Sequence, residues 1–157
     1  IFLLANGKSP GDEIQVEPGS VITTEMEWKS HYPVQVVELV RNGKVFARKT
    51  YSEVSREGTL AATVESPSDG WIAARLFSSL RDSYLQPQFA HTSPIYVKTG
   101  KRSPEHMEAC RLFVDRIDAS IEWVRQKGRF YTNGQRSEVE SLFREGQEVY
   151  RKWAEEL

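Results

Sequence analysis

The chain has 157 residues, of which 39% are hydrophobic and 27% are charged. This composition is typical of one globular domain with at most a small appendage, and it excludes a disordered or collagen-like chain. Its 21 basic and 22 acidic residues leave a net charge of −1, which gives no reason to expect a nucleic acid or an anionic membrane as a partner.

The chain begins at Ile1 with an apolar segment that has no methionine, no basic region and no cleavage site, so it is not a signal peptide. This segment is typical of a strand already in progress, and we expect further sequence upstream. No apolar run approaches the ~20 residues that a membrane-spanning helix needs. Cys110 is the one cysteine, so the chain forms no internal disulfide. It lies in an apolar helical stripe, where we expect a small buried side chain.

Up to about residue 100, short segments with β-type patterns are separated by turn signals. Asn42-Gly43, between two such segments, strongly indicates a hairpin because both residues tolerate positive φ. The rhythm predicts an immunoglobulin-like antiparallel β-sandwich over residues 1–100, with a small barrel as the alternative. The predicted strands are Phe2–Ala5, Asp12–Val16, Ser20–Lys29, Val34–Arg41, Lys44–Tyr51, Thr59–Glu65, Trp71–Phe77 and Pro94–Lys98.

Residues 101–157 carry a helical pattern and predict a two-helix hairpin. Ser103-Pro104-Glu105 supplies an N-cap, a proline in the first turn and an early acid, and Gly128 ends the first helix. The second helix is predicted to begin between residues 133 and 137, with a capping box at Ser137 and Glu140 as one option. Its predicted apolar face is Val139, Leu142, Phe143, Gly146, Val149, Tyr150 and Trp153. We expect the hairpin to pack on the sandwich or on a missing N-terminal domain.

Arg75 stands among large apolar residues in a predicted strand, flanked on the same face by Trp71 and Phe77. An unpaired charge in such surroundings is costly, so we expect a cross-strand partner, and Glu38 is the candidate. Because this face carries large aromatic side chains, we also expect the helical hairpin or another domain to cover it.

The three histidines, His31, His91 and His106, form none of the spacings typical of metal motifs. His31 and His91 both lie at predicted strand edges. A structural or solvent-facing role is therefore favoured over metal binding for each of them. A nucleophilic role for Cys110 would need a nearby base, and His106, four residues earlier, is the local candidate.

Several segments, taken in order, resemble the C-terminal region of CehA/McbA-type metallohydrolases, which are members of the PHP-like superfamily. The segments lie across nearly the whole chain, and their order and spacing carry the resemblance. They are Leu4–Asp12, Ser30–Pro33, Val37–Gly43, Gly70–Arg75, Phe89–Val97, and the residues from Ile117 to Val124 and from Gly128 to Phe130.

The resemblance implies a non-catalytic accessory domain of a larger PHP-like metal-dependent hydrolase, whose catalytic domain and divalent metal would lie upstream of Ile1. It assigns no catalytic residue, metal ligand or cofactor to these positions. The expected partners are that missing N-terminal domain and, as a further arrangement, a homo-oligomer. The candidate domain-interface or structural residues are Glu38, Trp71, Arg75, Phe77 and His91.

Two alternatives stay open. A stand-alone β-sandwich module could bind carbohydrate or protein by stacking on aromatic side chains. Its candidate stacking residues are Trp28, Tyr32, Trp71 and Tyr84. A self-contained hydrolase that uses His31 or His91 is the least favoured interpretation.

Overall fold

The computed structural model describes residues 1–155, except the side chains of residues 52–54. The chain divides into two compact units, Ile1–Arg102 and Ser103–Leu157. The first unit is almost entirely β, and the second consists of two helices. The prediction of a mainly β fold with two C-terminal helices is therefore confirmed.

The first unit is built around one sheet with strand order β1-β3-β5-β7-β2, in which β4 also pairs with β3 and β6 with β5. All strand pairs are antiparallel except β2 with β7. The strands are β1 (Phe2–Ala5), β2 (Glu13–Gln15), β3 (Ser20–Arg41), β4 (Lys44–Ser66), β5 (Gly70–Arg81), β6 (Pro87–His91) and β7 (Ile95–Lys98).

Strands β3 and β4 form a long hairpin closed by Asn42 and Gly43, which adopt φ values of 48° and 81° as the sequence predicted. Each strand replaces two shorter predicted ones. The first half of β3 pairs with β1 and with the far half of β4, whereas its second half pairs with the near half of β4 and with β5. The sheet therefore changes partners along a continuous strand.

Both halves of β3 contribute to one hydrophobic core. Trp28, from the first half, is 1% exposed, and Leu39, from the second half, is fully buried. They belong to the same core cluster as Leu3 of β1 and Ile72 of β5. Strands β1 and β5 approach each other without being hydrogen-bonded neighbours. Such an arrangement requires the sheet to curl over its own inner face.

The second unit contains α1 (Pro104–Lys127) and α2 (Asn133–Glu155). As predicted, the hydroxyl of Ser103 caps α1 by accepting a hydrogen bond from the backbone N–H of His106, and Gly128 follows the last helical residue. Helix α2 begins at the early end of the predicted range, where Thr132 Oγ1 accepts from the N–H of Gln135 at 3.2 Å. The predicted capping box is wrong, because the Ser137 hydroxyl lies inside α2 and donates to the carbonyl of Asn133.

The side of α2 that faces α1 differs from the apolar face that the sequence predicted. Gln147 is 1% exposed and its amide donates to the carbonyl oxygen of Val114, while Tyr150 stacks on Phe113 with ring centroids 4.8 Å apart. By contrast, Leu142 is 69% exposed, and Val149 and Trp153 are each 44% exposed. Helix α1 therefore covers only one edge of the predicted face.

Candidate functional site

The outer face of the sheet carries four polar side chains in adjacent strands. Glu38 of β3 lies opposite Arg48 of β4 on one side and opposite Arg75 of β5 on the other, and Arg75 in turn lies opposite His91 of β6. We call Arg48, Glu38, Arg75 and His91 the charged row. It crosses four strands of the curled sheet at right angles to their direction.

Glu38 is the anchor of the charged row. Its side chain is 3% exposed, and its Oε2 accepts a hydrogen bond of 2.6 Å from Nε of Arg75. Its other oxygen, Oε1, lies 3.4 Å from a guanidinium nitrogen of Arg48. The attraction of the two cations offsets the free-energy cost of removing the carboxylate from water. The ion pair between Glu38 and Arg75 is therefore present as the sequence predicted.

The two arginines are less buried than the carboxylate that they share. The side chain of Arg75 is 38% exposed and that of Arg48 is 55% exposed. One negative and two positive charges leave the centre of the row with an excess of positive charge. Each guanidinium has five N–H donors, so both retain donors that can face a ligand.

Aromatic side chains border the row on one side. Phe77 and Phe89 are cross-strand partners on β5 and β6, and they are the next pair on the same face after Arg75 and His91. The guanidinium of Arg48 lies over the Phe77 ring, 6.0 Å from its centroid, and the Phe89 and His91 rings are 5.7 Å apart. Phe89 is 61% exposed. Cationic and aromatic groups thus form one continuous surface.

A second aromatic pair lies toward the other end of β5. Trp71 and Tyr96 are cross-strand partners and are 37% and 43% exposed. The backbone of Trp71 is fixed to the hairpin turn, because its N–H donates to Oδ1 of Asn42 at 2.9 Å. We use the term row face for the charged row together with Phe77, Phe89, Trp71 and Tyr96.

All five candidate residues from the sequence lie on the row face, and Glu38, Arg75 and His91 are direct cross-strand neighbours. The sequence analysis missed Arg48, Phe89 and Tyr96. Tyr96 lay within a predicted strand whose alternation could have shown it, and Phe89 lay in a strand that was not predicted. The aromatic residues of this face are partly exposed in this chain. That the helical hairpin or another domain covers them therefore stays a prediction.

His91 makes one further contact, since its Nδ1 lies 2.9 Å from the carbonyl oxygen of Thr92. A carbonyl oxygen only accepts hydrogen bonds, so Nδ1 carries a proton in this contact. In the neutral ring, Nε2 is then the acceptor. His91 can thus accept a hydrogen bond from a ligand at the exposed end of the row.

Other candidate residues from the sequence do not join this face. Trp28, a candidate for ligand stacking, is wrong in that role because it is 1% exposed in the core. Tyr32 and Tyr84 are 39% and 81% exposed. In the helical unit, Cys110 is buried as predicted, and its Sγ lies 3.6 Å from Nε2 of His106. Among the described residues, no group of three His, Cys, Asp or Glu side chains could hold a metal ion.

Three groups with a shifted pKa lie in two structural contacts, one after β7 and one between the helices. Burial raises the pKa of Asp69, but hydrogen bonds from Thr99 and Gly100 and the charge of Lys98 outweigh it, so this pKa lies below its ordinary value. In the helical unit, the hydrogen bond from Arg125 lowers the pKa of Glu140, and the same bond raises that of Arg125. Both arrangements favour the ionised form in the folded protein.

Similarity to known proteins is confined to solved structures. No family model matches the chain, and no curated protein matches it. Among solved structures, the fibronectin(III)-like modules of Clostridium thermocellum CbhA are similar to it with a TM-score of 0.33 and 15% sequence identity, over 62% of this chain and 96% of that chain. No helix in the described part of the chain is long and apolar enough to cross a membrane.

Proposed function

We propose that this chain is a non-catalytic accessory domain of a larger PHP-like metal-dependent hydrolase, and that it packs against the upstream catalytic domain through the row face. The catalytic residues and the divalent metal of that hydrolase would belong to the upstream domain. The observation that carries the docking proposal is the buried Glu38 carboxylate shared by Arg75 and Arg48 on an exposed aromatic surface.

The chemistry of Glu38 favours a positioning role over proton transfer. Its carboxylate contacts two guanidinium groups, and its side chain is 3% exposed. A general acid or base must instead reach a reacting group. Glu38 holds Arg48 and Arg75 in fixed positions, so less side-chain entropy is lost when they bind a partner.

The exposed parts of the two arginines define the kind of surface that fits. A partner carboxylate can accept two hydrogen bonds from one guanidinium group, which gives both affinity and orientation. Phe89 and Phe77 lie beside the arginines and can exclude water from such a contact. The matching surface is therefore acidic at its centre and apolar at its edge.

We also propose that the β unit is an immunoglobulin-like sandwich. One layer would consist of β1, the first half of β3 and the far half of β4. The other layer would consist of the near half of β4, the second half of β3, β5, β6, β7 and β2. The shared core of Trp28 and Leu39 supports this division, because inner residues of both layers meet in it.

The first experiment compares the product of the complete gene with this chain alone. We expect bound metal and esterase or phosphatase activity in the complete product and in no sample of the chain alone. Hydroxyl-radical labelling should then modify Trp71, Phe89 and Tyr96 readily in the chain alone and several-fold less in the complete product. A gene product without a metal-binding domain would contradict the accessory role, whereas equal labelling in both samples would contradict docking through the row face.

A matched pair of variants tests the surface itself. Arg48→Ala combined with Phe89→Ser removes one cation and one apolar group from the row face. Lys29→Ala combined with Val21→Ser removes the same kinds of group elsewhere. The side chain of Lys29 is 84% exposed, and Val21 is 58% exposed. In the complete product, we expect the first pair to restore labelling of Trp71 and the second pair to leave it unchanged.

A stand-alone binding module for carbohydrate or protein is the second candidate function. It is supported by Trp71 and Tyr96, which are adjacent and exposed and could stack on a sugar ring. A glycan array followed by calorimetry tests it. Binding that Trp71→Ala abolishes and Tyr84→Ala preserves would favour this function.

A further inference from the structure

The exposed side of α2 carries an apolar stripe with regular spacing. Leu142, Gly146, Val149 and Trp153 are separated by four, three and four residues, which is the spacing of the core positions of a coiled coil. Leu142, Val149 and Trp153 are 69%, 44% and 44% exposed. Helix α1 contacts α2 along the neighbouring edge through Gln147 and Tyr150, and the Trp153 ring also lies beside His106 of α1, with ring centroids 6.4 Å apart. We call these four residues the α2 stripe.

Gly146 has a distinctive position within the α2 stripe. Glycine in the middle of a helix is less favourable than alanine, so its presence calls for a reason. A Cβ atom built on Gly146 meets no atom within 4 Å in the described part of the chain. The open space lies on the stripe itself, between Leu142 and Val149. It allows the backbone of another helix to approach closely at that point.

We propose that the α2 stripe binds the α2 stripe of a second copy of this chain in antiparallel orientation. The stripe is complementary to itself in one register. Leu142 of one copy then lies opposite Trp153 of the second copy, and Gly146 lies opposite Val149. Each large side chain thus meets a smaller one, and the two-fold axis repeats both contacts.

The charges beside the stripe fit the same register. Glu145 and Lys152 each precede a stripe residue by one position, so they lie along one edge of the stripe. In an antiparallel coiled coil, side chains at this edge face the equivalent edge of the partner helix. The register that aligns Gly146 with Val149 also brings Glu145 of one copy to Lys152 of the second copy, and the reverse pair forms by symmetry.

This charge match selects a second copy over an unrelated partner. A second copy of the chain supplies the apolar contacts through its own α2 stripe and the two ion pairs through its own Glu145 and Lys152. The net charge of −1 per chain produces little repulsion between copies. The resulting assembly is a four-helix arrangement, in which α1 covers one edge of each α2 and the second copy covers the stripe. This inference is independent of the proposed accessory function.

Sedimentation of the full chain over a range of concentrations tests the dimer. We expect a monomer–dimer equilibrium for the native sequence. Leu142→Gln should weaken dimerisation by about a hundredfold, because two exposed leucines are lost per dimer. Leu112→Gln is the matched control, since Leu112 is 53% exposed on α1 and lies outside the stripe; it should leave the dissociation constant unchanged. Circular dichroism verifies that each variant keeps its helices.

A charge-exchange series tests the register. Glu145→Lys and Lys152→Glu should each weaken the dimer by roughly tenfold, because each replaces two attractions by repulsions. The double variant should restore the native dissociation constant. A monomeric native chain, or a dimer insensitive to Leu142→Gln, would overturn the proposal. A dimer that the double variant fails to restore would overturn the antiparallel register and with it the argument for a second copy.

Discussion

Arg75 donates a hydrogen bond of 2.6 Å from its Nε to Oε2 of Glu38, and this bond joins two neighbouring strands of the curled sheet. Glu38 is nearly inaccessible to water, whereas Arg75 retains 38% of its side-chain surface. Removing Arg75 would therefore leave a buried carboxylate without its nearest cation, whereas removing Glu38 would leave an arginine that water still reaches.

Arg75→Leu should destabilise the protein by about 2 kcal/mol, because it leaves a buried carboxylate with the more distant Arg48 alone. Glu38→Leu combined with Arg75→Leu should cost less than Arg75→Leu, since no buried charge is then left without its partner. Urea unfolding at neutral pH measures both. Lys29→Ala is the control, because its ion pair with Glu57 is long, at 4.0 Å, and exposed. Equal losses for the single and double leucine variants would contradict the prediction.

Gly58 lies opposite Trp28 in the ladder between β3 and β4. A Cβ atom at this position would lie 2.6 Å from Oη of Tyr51 and 3.2 Å from Nε1 of Trp28. The Trp28 and Tyr51 rings meet edge to face with centroids 5.6 Å apart, so moving one disturbs the other. Gly58→Ala should therefore destabilise the β unit by about 1–3 kcal/mol.

Thermal unfolding monitored by tryptophan fluorescence measures the effect of Gly58→Ala. Gly134→Ala serves as the control, because the nearest atom to its added Cβ is 3.6 Å away and alanine favours the helix. Its melting temperature should be unchanged or higher. A Gly58→Ala variant as stable as the native chain would show that the Tyr51 side chain moves aside without cost.

Glu140 joins the two helices, because its Oε2 accepts hydrogen bonds of 2.9 Å and 2.8 Å from Nε and a terminal nitrogen of Arg125. This contact lowers the pKa of Glu140 in the folded protein from its ordinary value of 4.5. A lowered pKa stabilises the fold at pH values above the unfolded value. That stabilisation is lost as the pH falls through the folded value.

The helical signal at 222 nm, followed against temperature from pH 7 to pH 2, measures this effect. Glu140→Gln should melt below the native chain at pH 7, and the difference should close as the pH falls below 4.5 and through the lowered pKa of the folded state. Glu148→Gln, whose contact with Arg151 is 3.8 Å and exposed, should show little difference at any pH. A constant gap for Glu140→Gln across this range would contradict the assignment.

Asp69 holds the segment that follows β7. Its Oδ1 accepts hydrogen bonds from the backbone N–H of Thr99 at 2.6 Å, from the Thr99 hydroxyl and from the N–H of Gly100. Asp69→Ala should cost about 1–3 kcal/mol, because it removes the acceptor of all three bonds. Asp69→Asn keeps an oxygen acceptor and should recover more than half of that loss. Urea unfolding distinguishes the two variants.

Much of the fold followed from local patterns. The turn at Asn42-Gly43, the cap at Ser103 and the apolar stripe of α1 each combine a residue preference with a hydrophobic period, and each lies where it was predicted. β6 was missed because four of its five residues are exposed, and exposed strands show no alternation of apolar residues.

The predicted break around Pro33 is absent for a different reason. Proline cannot donate a hydrogen bond to a neighbouring strand, so it normally argues against a strand interior. In β3, however, the register with β4 is interrupted between Lys29 and Val34, and no donor is required there. A single strand therefore continues through a segment whose sequence resembles a turn.

Only part of the candidate site could be predicted from the sequence. The ion pair of Glu38 and Arg75 followed from the cost of a lone charge among apolar neighbours. Arg48 did not follow, because a regular two-residue hairpin would pair Glu38 with Ala47. Instead, Val40 pairs with Val45 while Leu39 pairs with Ala47. Phe46 is thus the extra residue of a β-bulge, which the sequence does not mark.

The bulge at Phe46 sets a length rule for this hairpin. Side chains alternate between the two faces of a strand, so a residue inserted between Gly43 and Arg48 beside the existing bulge would exchange the faces of everything that follows. Arg48 would then point into the core, and Ala47 would take its place beside Glu38. Deletion of Phe46 alone would instead leave a regular hairpin in which Arg48 still pairs with Glu38. Related chains that keep the charged row should therefore tolerate the loss of one residue here but not the gain of one.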